Sequence, residues 1–135
     1  MATRKRLVLF VEGEGDVMAA PVLVKRLLTE FTAWDCLSLD PDPFRLGAVN
    51  NLFGKPEANW IKYLQIAAKG GNLGGVLLLQ DGDIALKRGQ SFCARDIGRD
   101  LSRRAHTTGA GASFSVASVF ACQEFESWLI AGIDR

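Results

Sequence analysis

Two short acidic clusters in this sequence each follow an apolar run, and they are the residues best suited to chemistry. Leu7-Val8-Leu9-Phe10-Val11 leads directly into Glu12-Gly13-Glu14-Gly15-Asp16. Val76-Leu77-Leu78-Leu79 leads, after Gln80, into Asp81-Gly82-Asp83. Carboxylates crowd together at a cost unless a partner offsets their repulsion. A hard cation that takes oxygen ligands, Mg²⁺ above all, is the natural partner. In extended backbone Asp81 and Asp83 point the same way, so both would reach one ion, directly or through its waters. Asp-Gly is also a common turn dipeptide, so the pair taken alone reads more readily as a loop, and its place after a wholly apolar strand is what favours chemistry. Glu12 comes too early to cap a following helix. Glu14 and Asp16 read more simply as helix-start residues, with Asp16 as the N-cap. The spacing matches neither the dinucleotide-binding fingerprint nor a P-loop.

The elements that must position these groups alternate. Leu7–Val11 reads as a strand. A helix runs from Asp16 to about Phe31, with Val17, Ala20, Val24, Leu27, Leu28 and Phe31 at helical spacing. Pro21 is placed near enough to the first turn to be tolerated. Cys36–Leu39 reads as a short strand ended by Asp40-Pro41-Asp42-Pro43, and a loop with Gly47, Asn50, Asn51 and Gly54 follows. Lys55-Pro56-Glu57 opens a second helix that buries Trp60, Leu64 and Ala67 or Ala68, and Gly70-Gly71 stops it. Val76–Leu79 is apolar throughout, as expected at the centre of a parallel sheet. A third helix spans about Gln90 to Ala105, a fourth strand Ser115–Ala121, and a last helix starts near Gln123 with Phe125, Trp128, Leu129 and Ile130. This order predicts an α/β fold, a Rossmann-like parallel sheet of about four strands with helices on both faces. Sites in such folds form outside the carboxyl ends of the strands, where both acidic clusters fall.

Composition bounds the possibilities. The chain has 135 residues, 48% hydrophobic and 23% charged, with a net charge of +1. One domain over 1–135 is expected, and the abrupt stop after the last helix suggests a piece of something longer. No apolar run approaches the length of a membrane span, and the basic start lacks a signal-type apolar stretch. Cys36, Cys93 and Cys122 are widely spaced and odd in number, which fits reduced thiols and a cytoplasmic setting rather than a disulfide framework. One histidine and no Cys-x-x-Cys argue against zinc. Near neutral overall charge means that any nucleic-acid binding must rest on a local patch. Arg95, Arg99 and Arg103 recur at four-residue spacing on one helix face, with Arg88 and Arg104 nearby. They would track phosphates, or simply pair with Asp96 and Asp100 on a solvated face. Arg4, Lys5 and Arg6 read as a solubilising terminus. His106 lies past a helix end and has no assigned chemistry. Trp34, Trp60 and Trp128 sit among apolar neighbours as core residues.

Val11-Glu12-Gly13-Glu14-Gly15-Asp16 resembles the Val-Glu-Gly-x-x-Asp motif of Toprim domains, and Leu79-Gln80-Asp81-Gly82-Asp83 resembles their second motif, an Asp-x-Asp after a hydrophobic strand. Toprim domains occur in topoisomerases, bacterial primases, recombination proteins and overcoming-lysogenization-defect nucleases. The resemblance covers about residues 7–84 by motif. A closer resemblance is to DUF4276, a bacterial Toprim-like family of unknown function, because Gln123-Glu124-Phe125-Glu126-Ser127-Trp128-Leu129 is similar to its Glu-x-Glu-x-Trp signature. The resemblance implies Mg²⁺-dependent chemistry, with Mn²⁺ as a substitute, on the phosphodiesters of DNA or RNA. Glu12 would be the acid/base or metal-ligand glutamate, Asp81 and Asp83 the metal pair, and Glu124 or Glu126 a further ligand. Those two glutamates equally suit the first turn of a helix. Family analogy alone supplies a role in phage or mobile-element defence and a partner protein such as an ATPase. Tyr63, the only tyrosine, falls mid-helix, which argues against topoisomerase-type strand passage. The competing readings are a non-catalytic nucleic-acid or partner-binding module with a residual metal site, and a small-molecule phosphohydrolase.

Overall fold

The computed structural model describes residues 4–47, 52, 59–82 and 93–121. Its elements follow the expected alternation: β1 (Lys5–Val11), α1 (Glu14–Glu30), β2 (Leu37–Leu39), β3 (Phe44–Arg45), α2 (Asn59–Lys69), β4 (Leu73–Asp81), α3 (Ala94–Ala105) and β5 (Ser115–Ala121). The sheet is parallel throughout, in the order β2-β1-β4-β5, and β3 pairs with β1 beyond the end of β2. The protein is therefore α/β, with a parallel, Rossmann-like sheet. Asp83, Arg88, Glu124, Glu126, Cys122, Trp128, the opening of the second helix at Lys55-Pro56-Glu57 and the last helix from Gln123 lie outside the described residues.

Side-chain alternation along β1 and β4 divides the core in two. Val8, Phe10, Val76 and Leu78 meet Trp60, Leu64 and Ala67 of α2 and Ile97, Leu101 and Ala105 of α3. Leu9, Val11 and Leu79 meet Ala20, Val24 and Leu28 of α1. Helices thus cover both faces, and each buried Leu, Val or Phe contributes about 1.5–3 kcal/mol by leaving water. Trp60 is fully buried, its ring edge-on to Phe10 at 5.8 Å, and its Nε1 donates to the Leu101 carbonyl at 2.8 Å. Tyr63 lies on α2 with its ring against Phe44 and Phe10. Cover is uneven over β5. Val116 and Phe120 pack toward α2 and α3, whereas Ser115, Ala117 and Val119 on the opposite side are exposed.

Several expectations require correction. The sheet has a fifth strand, because Phe44-Arg45 falls beside the part of β1 that β2 leaves unpaired: Phe10 faces Phe44 and Val11 faces Arg45. Helix α1 begins at Glu14, with Gly13 as its N-cap, so Asp16 is not the cap residue. Asp16 instead reaches back, and its carboxylate accepts the Gly13 N–H at 3.1 Å. Pro21 consequently lies in the helix interior, where its missing N–H leaves the Val17 carbonyl without its helical donor. Helix α3 starts at Ala94 rather than near Gln90, because Cys93 is extended (φ −131°, ψ 105°).

Arg6 is no loose solubilising terminus either. It belongs to β1 and donates to Asp40 at 2.9 Å, to the Ala67 carbonyl at 2.8 Å and to the Gly71 carbonyl at 2.9 Å. It ties β1, the exit of β2 and the end of α2 together at the amino end of the sheet. Opposite it, the β1–β4 register slips between Arg6 and Leu7, which leaves Gly74 as a bulge. A Cβ on Gly74 would lie 2.6 Å from Lys5 Cβ, so only glycine fits there.

Candidate active site at the carboxyl ends of β1 and β4

β1 and β4 are neighbours, and Val11 pairs with Leu79. That register puts Glu12, one residue beyond Val11, and Asp81, two residues beyond Leu79, at the same edge of the sheet. Their carboxyl groups are in hydrogen-bond contact, and Glu12 also accepts from the Asp81 backbone amide. Both residues are half-buried. Burial, the contact with Asp81 and the charges of Asp81 and Asp16 push the Glu12 carboxyl up to about 7, against the Asp81 amide, which favours the charged form. Two carboxyls sharing a proton at a strand edge form a pair that a cation would separate from that proton.

The surrounding backbone is tightly fixed. The Leu46 N–H donates to the Val11 carbonyl at 2.8 Å and the Gly47 N–H to the Glu12 carbonyl at 3.1 Å, so the chain beyond β3 follows β1 past Glu12. On the other side the Gly82 N–H donates to the Ala121 carbonyl at 2.9 Å, and Asp81 is in register with Ala121. β5 therefore ends beside Asp81. Helix α1 starts directly after Glu12-Gly13, so its N-terminal N–H groups lie beside the site and favour anions.

Two residues gain a place here that the sequence did not suggest. Arg45, at the end of β3 opposite Val11, brings a cation beside the Glu12 turn, with a weak exposed contact to Glu14 at 3.9 Å. Gln80 precedes Asp81 and is 2% exposed. Its Nε2 donates to the Gly47 carbonyl at 2.8 Å, while its Oε1 is buried with no donor among the described residues. Neither carries a local signal: Arg45 falls in an apparent loop, and Gln80 reads as the fraying end of an apolar strand.

Among the described residues, no group of three or more His, Cys, Asp or Glu is placed to hold a metal ion. The donor chemistry of the Glu12–Asp81 pair nonetheless suits Mg²⁺, which is usually held by one or two carboxylates together with waters and substrate phosphates. Cys36 and Cys93 are free and exposed. His106 opens an exposed turn after α3, away from the carboxylates in the fold.

On α3, Arg95, Arg99 and Arg103 are all exposed, but they are not equivalent. Arg103 and Arg104 both pair with Asp100, and this holds the Asp100 carboxyl below its ordinary value despite some burial. Arg95 and Arg99 have no ion pair among the described residues. They occupy the half of α3 that begins at the carboxyl end of the sheet, the end that holds Glu12 and Asp81. No described helix is long and apolar enough to cross a membrane. Comparison of the chain with protein-family models, curated proteins and solved structures gave no match.

Proposed function

We propose that the protein is a metal-dependent nuclease that hydrolyses phosphodiesters at the Glu12–Asp81 edge. One observation carries this reading: two carboxyls from different strands, far apart in sequence, are in contact at the edge of a parallel sheet where such folds place their chemistry. Glu12 and Asp81 would hold Mg²⁺ or Mn²⁺, with Asp83 a further candidate from the sequence. When bound, the ion supplies charge neutralisation for the phosphate. Glu12 would act either as a ligand to that ion or as the group that takes a proton from the attacking water. The N-terminus of α1 and Arg45 offer an anion two further favourable contacts. Arg95 and Arg99 supply a track for the phosphates of a longer substrate. The Toprim-like motifs support the same chemistry and, by analogy alone, a setting in phage or mobile-element defence.

The test is to incubate the protein with plasmid DNA and with RNA in Mg²⁺ or Mn²⁺, alongside Asp81→Ala. The wild type is expected to cleave, and the substitution to slow cleavage by at least ~100-fold, the scale of losing one positioned catalytic group. Cleavage that persists in Asp81→Ala removes that residue from the site. Binding of nucleic acid without cleavage makes the protein a non-catalytic module, and turnover confined to a small phosphoester makes it a phosphohydrolase of another kind.

A further inference from the structure

Gln80 is the one buried polar side chain in the described core, and its cost is unrelieved on one side: Nε2 is bonded to the Gly47 carbonyl, yet Oε1 finds no donor among the described residues. A buried acceptor left unpaired is destabilising, which raises the question of what the amide does in exchange. The bonds it completes point to the answer. From β4 the Gln80 side chain reaches Gly47, and the Gly47 N–H in turn holds the Glu12 carbonyl at 3.1 Å. Gly47 has φ 79°, a left-handed conformation that glycine adopts freely, and in it this residue bonds Glu12 with its amide and Gln80 with its carbonyl. β4, the chain beyond β3 and the turn after β1 are thereby joined in one relay at the level of the acidic pair.

We infer that Gln80 is the positioning residue for Glu12, acting through Gly47 to fix the turn that presents the Glu12 carboxyl to Asp81. This rests on the reading of Glu12 as a metal-site residue. Residues that orient a ligand typically change metal affinity by 10–100-fold when they are removed.

The test compares wild type with Gln80→Met, which keeps length and apolar fit but removes both the donor and the orphaned acceptor. Two quantities are read: hydrogen exchange of the Gly47 amide, and Mn²⁺ affinity by calorimetry. Gln80→Met is expected to keep its global stability, to exchange the Gly47 amide roughly fivefold faster, as befits the loss of one hydrogen bond, and to bind Mn²⁺ at least about tenfold more weakly. Gln80→Asn keeps the amide but is one methylene too short to span to Gly47, so it should show the same losses and serves if the methionine variant fails to fold. Unchanged exchange at Gly47 overturns the inference, as does faster exchange with unchanged Mn²⁺ affinity. A wild type that binds no Mn²⁺ sinks the metal reading of Glu12. The Gly47 exchange comparison then decides separately whether Gln80 holds the Glu12 turn.

Discussion

Among the described residues Glu12 is the one whose ionisation is most strongly altered, and this gives the metal-free protein a pH signature. Its carboxyl ordinarily titrates near 4.5 and is raised to about 7 in the fold, chiefly by burial and by Asp81. Below the lower value both folded and unfolded chains hold the proton, so this group gives no pH dependence. Between the two values the folded chain keeps the proton and the unfolded chain loses it. Stability therefore falls as pH rises across that window, and the full cost is present above it. Glu12→Gln should flatten this part of the profile and leave the variant more stable than wild type at pH 8, as measured by urea unfolding across pH without divalent cations. A wild-type profile that is flat between pH 5 and pH 8 would contradict the Glu12–Asp81 contact. Asp16, close in sequence and equally acidic, does different work: its bond to the Gly13 N–H fixes the helix start.

Among the elements, α2 shows how one side chain can connect several others. Trp60 packs edge-on to Phe10 of β1 and donates to Leu101 of α3. Trp60→Phe preserves the aromatic contact but removes the donor and leaves a small void. It is expected to lower unfolding free energy by about 1–3 kcal/mol in urea denaturation. Burial of Trp60, Leu64 and Ala67 was legible in the sequence because helical spacing reports a single face. The uninterrupted apolar runs of β1 and β4 likewise announced central strands and put Glu12 and Asp81 at their ends. β3 was not legible. Two residues after a proline have no periodicity, and Phe44-Arg45 is a strand only because β1 offers an unpaired stretch beyond β2. The start of α1 was ambiguous because Gly13-Glu14-Gly15-Asp16 offers acceptable helix-start chemistry at more than one position. Gln80 was the deepest omission, since its burial depends on a carbonyl 33 residues away in sequence.

The whole molecule carries its charge unevenly. The face built from α2 and α3 exposes Lys62, Lys69, Arg95, Arg99, Arg103 and Arg104 against Asp96 and Asp100, whereas α1 carries Glu14, Asp16 and Glu30 against Lys25 and Arg26. Near-zero net charge therefore hides a cationic side, and α3 supplies its arginines. If phosphates run along it, Arg95→Ala and Arg99→Ala should each reduce the salt dependence of nucleic-acid binding by about one unit of log–log slope. Arg103→Ala should reduce it less, because that charge is shared with Asp100. Fluorescence anisotropy over a range of salt concentrations distinguishes these outcomes. The β1–β4 ladder has a consequence in time as well as in space. Its two strands are separated in sequence by α1, β2, β3 and α2, so a chain emerging from the ribosome holds Glu12 long before it can meet Asp81. Closing so long an intervening stretch precedes any gain from the pairing, which makes that step slow. During synthesis the site cannot form until β4 has emerged, and an unfinished chain that stops short of β4 has no means of assembling it.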